Sequence, residues 1–346
     1  MAKADKLLYG EGFFKESLSP ATSLMHNKYV VPPFSVLDAR QGSWIKRKRA
    51  WLDAGLAPRA GRYDPDDVTK IRNRLPGTSY AADLAGFGGG LRKQYDSREH
   101  GENVDPLKAE ETGVSGFDPV LAETIYSWFC PRNGSIFDPF AGEATKGIVA
   151  TVLGYDYLGI ELRQDQIDVN YEQADIFSIV PRWIQGDSIR VEDYLDEGDM
   201  YDFIFTSPPY ASLQVYSDLA EDGSTFNYED FMEWYQEIFR QSIAHLKDDR
   251  FLCVKIGEVR DEKTGMYLNF VGDNIKCFTD LGLFYFNELI LVTRTGSLPL
   301  RAGRIFDVGR KIGRGHQTLQ VYWKGDPKNM KETIKEYYGA VGDLSE

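Results

Sequence analysis

The sequence predicts an α/β fold in which a mostly parallel, doubly wound sheet follows an irregular N-terminal extension. From Gly116 onward, short apolar strands alternate with helical segments, which is the pattern of a parallel sheet covered on both faces. A glycine turn joins the first strand to its helix, and 42% of the 346 residues are hydrophobic, which is ample for a buried core. We therefore assign residues 116–326 to the main domain, 1–115 to the extension and 327–346 to a C-terminal tail.

The elements are predicted in chain order from the spacing of apolar residues and from turn formers between them. Gly154 ends the second helix of the main domain, and Asn227 caps the fourth. Helices are predicted at 43–54, 118–129, 145–153, 164–176 and 227–245. Strands are predicted at 135–138, 157–160, 183–185, 201–206, 251–256, 283–292 and 319–323.

Charge is distributed unevenly along the chain. The net charge of −13 by itself argues against a nucleic-acid-binding protein. The basic run Lys46–Arg49 is interpreted as solvated surface. The segment 293–317 is rich in Arg and Gly with Asp307 as its only carboxylate, and solvated charge and contacts to nucleic-acid phosphates explain it equally well. Its candidate DNA-binding residues are Arg294, Arg301, Arg304, Arg310, Lys311, Arg314 and His316.

The three cysteines of the chain, Cys130, Cys253 and Cys277, lie far apart and form no CxxC pair. This pattern argues against disulfides and against a cysteine zinc site, and no metal site is predicted. The N-terminus lacks the apolar core of a secretion signal, and no apolar run is long enough to cross a bilayer. We expect a cytoplasmic protein.

The segment Asp138–Thr145 reads Asp-Pro-Phe-Ala-Gly-Glu-Ala-Thr and lies between a strand and a helix. Such a turn brings backbone N–H groups and the positive end of a helix close to a polar ligand. Glu161 ends the next strand, where a carboxylate accepts hydrogen bonds from ribose hydroxyls, and Asp187 follows the strand after it, beside an adenine edge. Each carboxylate alone is explained by exposed surface, but three such strand ends in register predict a nucleoside pocket.

The segment Thr206–Tyr210 reads Thr-Ser-Pro-Pro-Tyr and directly follows a buried apolar strand. Two prolines remove two N–H donors and stiffen the turn, so that carbonyl oxygens point outward. Ser207 and a proline carbonyl would accept hydrogen bonds from an exocyclic amine, while Tyr210 stacks on the ring that carries it. Such an amine is a poor nucleophile, and two acceptors localise its lone pair towards a methyl donor without a covalent intermediate.

These residues resemble the DNA amino-methyltransferases, whose cofactor motif reads Asp-Pro-Phe-x-Gly-x-Gly-Thr and whose catalytic motif reads (Asp/Asn/Ser)-Pro-Pro-Tyr. The resemblance spans Gly116 to Gly325, and the sequence is similar to the modification methylases of bacteriophage genomes. It implies a Rossmann-like class I methyltransferase fold, S-adenosylmethionine as cofactor and DNA as partner. The implied catalytic residues are Ser207, Pro208, Pro209 and Tyr210. The cofactor-binding residues are Phe117, Asp118, Asp138, Phe140, Gly142, Thr145, Glu161, Asp187 and Thr206.

Two departures from the family pattern stand out. Ala144 replaces the second glycine of the cofactor motif, which would weaken the approach of the backbone to the cofactor. The cofactor motif precedes the catalytic one, an order that concerns the subgroup more than the activity. The segment 211–226 is a candidate lid over a flipped base.

Several alternatives stay open from the sequence. Ser207 in the catalytic motif tips the target towards N4 of cytosine, with N6 of adenine left open. Enzymes that methylate RNA or a protein glutamine usually carry Asn-Pro-Pro-Tyr, and a non-catalytic DNA-binding regulator is a third possibility. The extension would take part in target recognition or in a homodimer, and a role in restriction–modification is expected.

Overall fold

The computed structural model describes residues 25, 29–58, 60, 116–209, 226–261, 263–293 and 298–337. Tyr210, Arg294, the side chain of Arg301 and all of the candidate lid 211–226 except Phe226 lie outside the described residues.

Eight strands of the described chain form one sheet, in the order β1-β7-β8-β6-β5-β2-β3-β4. Only β8 is antiparallel to its neighbours β6 and β7, and the other pairs are parallel. The order reverses between β2 and β5, which makes the carboxyl ends of these two strands the place where ligands bind in doubly wound sheets. The predicted Rossmann-like fold is confirmed. The strands are β1 Val36–Asp38, β2 Ser135–Asp138, β3 Asp156–Glu161, β4 Arg182–Gln185, β5 Tyr201–Thr206, β6 Leu246–Ile256, β7 Phe284–Val292 and β8 His316–Lys324.

Helices cover both faces of this sheet, and all five that the sequence predicts are confirmed within one or two residues at each end. The helices are α1 Gly42–Asp53, α2 Pro119–Phe129, α3 Thr145–Val152, α4 Gln164–Phe177, α5 Val191–Tyr194, α6 Tyr228–Ala244, α7 Phe270–Asp280, α8 Leu298–Gly309 and α9 Met330–Tyr337. Asp118 caps α2, and Asn227 caps α6 by accepting a hydrogen bond from the Asp230 amide.

One prediction of irregular structure is wrong. The segment 293–317, predicted as a loop from its Arg- and Gly-rich sequence, contains helix α8. Pro299 does not prevent this helix, because a proline in the first turn loses no hydrogen bond within the helix. Helix α9 lies in the tail 327–346.

The described part of the N-terminal extension shares one core with the sheet. Strand β1 pairs with the end of β7, and Trp44 and Trp51 of α1 are buried in the same cluster as residues of α2 and β5. The interpretation of the basic run as solvated surface is wrong for Arg47, which is 4% exposed. Its guanidinium forms a buried ion pair with Glu123 of α2, whose carboxylate also accepts a hydrogen bond from Trp51 Nε1 at 3.2 Å.

The two faces of the sheet carry separate hydrophobic clusters. One face is covered by α1, α2, α3 and α4, and the other by α6 and α7. On the second face Tyr235, Phe239 and Phe278 are fully buried, and their rings lie 4.7–6.3 Å apart between centroids. Burying each such side chain stabilises the fold by about 1.5–3 kcal/mol. The described helices include none that is long and apolar enough to cross a membrane.

Candidate active site

The two sequence motifs meet at one edge of the sheet. Strands β2 and β5 are parallel neighbours, with Phe137 paired to Ile204, so the turns that follow Asp138 and Thr206 leave the sheet side by side. Strand β6 lies on the other side of β5, with Val254 paired to Thr206. The candidate cofactor turn and the candidate catalytic turn therefore share one edge.

Asp138 organises the cofactor turn from beneath. It is fully buried, and its carboxylate accepts hydrogen bonds from the Tyr157 hydroxyl at 2.8 Å and the Phe140 amide at 3.2 Å. It also forms an ion pair with Lys146, which is 2% exposed and donates to the Phe140 carbonyl at 2.9 Å. Burial, and then the charge of Asp138, raises the pKa of Tyr157, so that this hydroxyl stays a donor.

The turn itself requires glycine at one of its two motif positions. Gly142 has φ +61°, in the left-handed region that glycine adopts most easily, and its carbonyl accepts a hydrogen bond from Asn170 Nδ2 at 2.9 Å. Ala144, by contrast, has φ −64°, which any residue adopts. The replacement of the second family glycine by Ala144 therefore introduces no backbone strain.

Glu143 was not singled out from the sequence, although its carboxylate connects three groups of this site. It is 2% exposed. One oxygen accepts from the Phe117 amide at 2.9 Å, and the other accepts from the Thr145 amide at 2.8 Å and the Thr145 hydroxyl at 2.6 Å. Glu143 thus ties the segment before α2 to the start of α3. Its acidic character shortly before a helix was the available signal, but it occupies a variable motif position.

Phe117 and Asp118 face different surroundings. The Phe117 ring packs edge-on against Phe205 at 5.6 Å, and Lys255 Nζ lies 4.5 Å from its centroid. The Asp118 carboxylate caps α2 through the Val120 amide at 2.9 Å, accepts from Trp44 Nε1 at 3.2 Å and pairs with Lys48 at 3.1 Å. The Asp118 side chain therefore holds α1 and α2 together.

Glu161 is the last residue of β3, and Asp187 lies just beyond the end of the neighbouring strand β4, as their spacing predicts. Glu161 pairs with Gln185 in the sheet, and Asp187 follows two residues later. The Glu161 carboxylate accepts from the Arg163 amide at 3.0 Å, and that of Asp187 accepts from the Ile189 amide at 3.1 Å. An ionised carboxylate can accept about four hydrogen bonds, so each of these groups can bind several donors at once.

The candidate catalytic turn carries two hydroxyls that differ in burial and in hydrogen bonding. The Thr206 side chain is fully buried, and its Oγ1 finds no hydrogen-bond partner among the described residues. Ser207 is half-buried and donates its proton to the Lys255 carbonyl on β6 at 3.3 Å. Because a hydroxyl has one proton and two lone pairs, Ser207 is left to act as an acceptor. Pro208 is buried and Pro209 half-buried.

No cysteine of the chain supplies a nucleophile at this edge. All three are free and buried. Cys253 pairs with Phe205 of β5, and burial raises its pKa, so the thiol stays protonated. Burial likewise raises the pKa of Cys130 and brings that of Cys277 to about 12.

The basic segment lies at the same edge of the sheet. Strand β7 runs in the direction of β6, because both are antiparallel to β8, so α8 leaves β7 at the carboxyl edge. Arg304 and Lys311 are exposed, and the Arg310 guanidinium lies 4.9 Å from the centroid of the Phe306 ring. Arg314 Nε donates to the carbonyl of His316 at 3.1 Å. Burial, and then the charge of Arg314, lowers the pKa of His316.

Comparison with known proteins shows what the C-terminal part of the chain is similar to. Residues 201–345, from β5 onward and fewer than half of the chain, match the family model described as DNA methylase of the N6/N4 type. S-adenosylmethionine is the cofactor of methyltransferases of this type.

Individual relatives are more distant. The chain is 29% identical over 117 residues to the type II methyltransferase M.MjaVI of Methanocaldococcus jannaschii, a match that covers 32% of this chain and 58% of that protein. Among solved structures, TrmN from Thermus thermophilus has a TM-score of 0.41 at 13% identity, covering 63% of this chain and 52% of that one. NSun6 from Pyrococcus horikoshii has a TM-score of 0.43 at 14% identity, covering 65% and 57%. The resemblance to bacteriophage enzymes stays a prediction.

Proposed function

We propose that the protein is a DNA methyltransferase that transfers a methyl group from S-adenosylmethionine to the exocyclic amine of a base. The observation that carries this proposal is the position of Ser207. Its hydroxyl donates a hydrogen bond to the Lys255 carbonyl, its lone pairs remain available, and it lies one strand away from the cofactor turn.

The residues of this edge fit the cofactor. Gly142 opens the turn before α3, and Glu161 and Asp187 offer carboxylate oxygens for ribose and adenine. The buried Thr206 hydroxyl has no hydrogen-bond partner among the described residues. Phe117 would border the methionine end of the cofactor. When bound, S-adenosylmethionine supplies an electrophilic methyl group on a sulfonium sulfur.

The catalytic turn would activate the amine by accepting its protons. Ser207 Oγ and the Pro208 carbonyl accept hydrogen bonds from the two N–H groups of the amine. These bonds localise the nitrogen lone pair, which is otherwise delocalised into the ring. The new N–C bond would form as the bond between the methyl carbon and the sulfonium sulfur breaks, with the electron pair of that bond staying on sulfur. The surplus proton of the amine would leave to solvent. Tyr210 would stack on the base. Fixed acceptors of this kind contribute because they need no reorganisation during the reaction.

DNA is proposed as the substrate, with N4 of cytosine favoured over N6 of adenine on the serine of the catalytic motif. A base inside a duplex must be flipped out to reach this turn. The exposed cations Arg304, Arg310 and Lys311 at the same edge support contacts with phosphates. The alternatives to be tested are methylation of RNA or of a protein glutamine, and a non-catalytic regulator. A homodimer and a role in restriction–modification are further proposals.

The test uses the full-length protein with unmodified DNA and cofactor carrying an isotopic label in its methyl group, followed by nucleoside mass spectrometry. We expect labelled N4-methylcytosine, and a loss of about 100-fold or more in Ser207→Ala because one transition-state hydrogen bond is removed. Ser127→Ala, at an exposed position of α2, is the matched control. Label in N6-methyladenine would reassign the base.

Three outcomes contradict the proposal. Label only in RNA or protein overturns DNA as substrate, and cofactor binding without transfer to any of the three supports the regulator. Full activity in Ser207→Ala overturns the role of the hydroxyl.

A further inference from the structure

Two large aliphatic side chains extend into solvent at the end of the basic helix α8. Val308 is 86% exposed and Ile312 is 74% exposed. Single exposed aliphatic residues are common on protein surfaces. These two differ in their neighbours, because Arg304, Arg310 and Lys311 surround them in the chain. We call Val308 and Ile312 the apolar tip.

The backbone that carries the apolar tip is held in place. Arg310 has φ +52°, a left-handed conformation that few non-glycine residues adopt, and its amide donates to the Phe306 carbonyl at 2.8 Å. Lys311 packs over Gly265, where its Nζ fills the space that a Cβ would need. Gly313 packs against Leu298 at the other end of α8. The helix therefore ends in a fixed turn that projects the tip.

The position of the tip relates it to the catalytic turn. Helix α8 and the turn after it connect the carboxyl end of β7 to the start of β8, at the same edge where Ser207 follows β5. Lys311 contacts the loop after β6, the strand whose Lys255 carbonyl accepts the Ser207 proton. The tip and the catalytic turn are thus connected through β6.

We propose that Val308 and Ile312 form a wedge that inserts between stacked base pairs of duplex DNA while the surrounding cations hold the phosphates. The inference deepens the proposed function and rests on it for the identity of the partner. Apolar wedges flanked by cations open base steps in other DNA-bending proteins. For an enzyme that must extrude a base, such a wedge offsets the cost of unstacking.

Charge complementarity selects duplex DNA over an apolar protein partner. Between residues 304 and 314 four cations face one carboxylate, Asp307, whereas the whole chain has a net charge of −13. The local excess of positive charge has no function in a purely apolar contact. On a duplex it places cations beside phosphates on either side of the inserted side chains.

The first experiment needs neither a recognition sequence nor catalysis. Closed circular plasmid is relaxed by a topoisomerase in the presence of the protein, and the change in linking number reports unwinding by inserted side chains. We expect unwinding by the wild type and a loss of at least fivefold in the double variant Val308→Ser/Ile312→Ser. Val180→Ser is the control, because Val180 is 82% exposed and precedes β4 at the opposite edge of the sheet.

The second experiment separates this proposal from the proposed function. Label incorporation is compared on native and on heat-denatured DNA, where no base pair has to open. The double variant should lose about tenfold on native DNA and retain its rate on denatured DNA, with unchanged circular dichroism. Equal losses on both substrates, or undiminished unwinding by the variant, overturn the wedge. Unwinding by a wild type that methylates no DNA would overturn the proposed function and leave the wedge standing.

Discussion

Strand β5 carries polar side chains at both ends, and the two ends differ in how these groups are satisfied. At the start, Asp202 accepts hydrogen bonds from the Ser135 amide at 3.0 Å, from Lys247 at 2.9 Å and from Arg250 at 3.1 Å. At the finish, the Thr206 hydroxyl has no partner within the described chain, and Ser207 has acceptor capacity to spare. Both ends contain half-buried or buried polar groups.

The difference separates stability from function. A buried polar group without a partner destabilises the fold, so one that lies at a candidate site suits a ligand or a catalytic role. At the amino end of β5, the Asp202 carboxylate is satisfied within the protein and holds β2, β5 and β6 together. The carboxyl end of β5 leaves an acceptor and a hydroxyl that the described residues do not satisfy, which suits a ligand.

The largest effect is expected at the satisfied end. Asp202→Asn removes the charge that Lys247 and Arg250 share, and we expect the free energy of unfolding to fall by about 2 kcal/mol at pH 7. Burial by itself raises the pKa of Asp202, but hydrogen bonds from Ser135, Lys247 and Arg250 hold it below its ordinary value. The stabilisation is therefore complete above the unfolded pKa of about 4 and is lost as the pH falls below it.

Urea denaturation of both proteins between pH 3 and pH 7 measures this difference. It should shrink towards the acid end of the series, while the cofactor affinity of Asp202→Asn matches the wild type. A difference that stays constant with pH would mean that the carboxylate charge contributes nothing.

The second effect concerns the cofactor turn after β2, at the carboxyl edge of the sheet. Glu143→Gln replaces one accepting oxygen by an NH₂ group, so that the hydrogen bonds to Phe117 and Thr145 cannot all form. We expect the Kd for S-adenosylmethionine to rise about tenfold, or about 1.4 kcal/mol, because the turn is less well held. Calorimetric titration measures it, with the exposed Glu197→Gln as control. Unchanged affinity would reduce Glu143 to a structural role.

Thr206→Val tests the unpartnered hydroxyl directly. Removing a buried polar group that has no partner should stabilise the protein by about 1 kcal/mol. The rate of methylation should fall by about tenfold, since the variant loses the hydrogen bond between this hydroxyl and a bound ligand. Thr151→Val is a matched control, because Thr151 Oγ1 is also buried without a partner among the described residues but lies in α3, away from the strand end. Stabilisation by both variants with no loss of activity would refute the ligand role.

The smallest effect is expected on the basic surface around α8, at the carboxyl edge of the sheet. Arg304→Gln should reduce the slope of log Kd for DNA against log salt by about 1, because one phosphate contact is lost. His316→Gln should leave that slope unchanged at pH 7.5, since the lowered pKa of His316 keeps the imidazole neutral. Fluorescence anisotropy over a salt series measures both. Equal slopes in Arg304→Gln and the wild type would remove Arg304 from the interface.

Prediction from sequence succeeded where the determining contacts are local. Asn227 caps α6 by bonding to an amide three residues away, and Asp118 caps α2 in the same way, so the starts of these helices follow from a few adjacent residues. The turns after Asp138 and Thr206 follow from glycine and proline within the motifs.

Prediction failed where the partner lies far along the chain. The charge of Arg47 indicated an exposed side chain. Its partner Glu123 lies 76 residues away in the chain, and the ion pair that they form is buried. Glu143 and Lys255 belong to the candidate site through contacts with Phe117 and Ser207, which no spacing rule connects. Helix α8 was missed because its arginines and glycines outweighed its apolar residues in the pattern.

The sequence by itself determined the succession of strands and helices, the two turns with their motifs, and the residue types that suit amine methylation. Backbone preferences and side-chain chemistry act over a few residues, so these properties can be read locally. Only the tertiary structure decided that the turns after Asp138 and Thr206 share an edge, that the Ser207 hydroxyl donates to the Lys255 carbonyl, and that no described residue bonds to the Thr206 hydroxyl. Those facts depend on which strands become neighbours, and pairing and burial are properties of the assembled sheet.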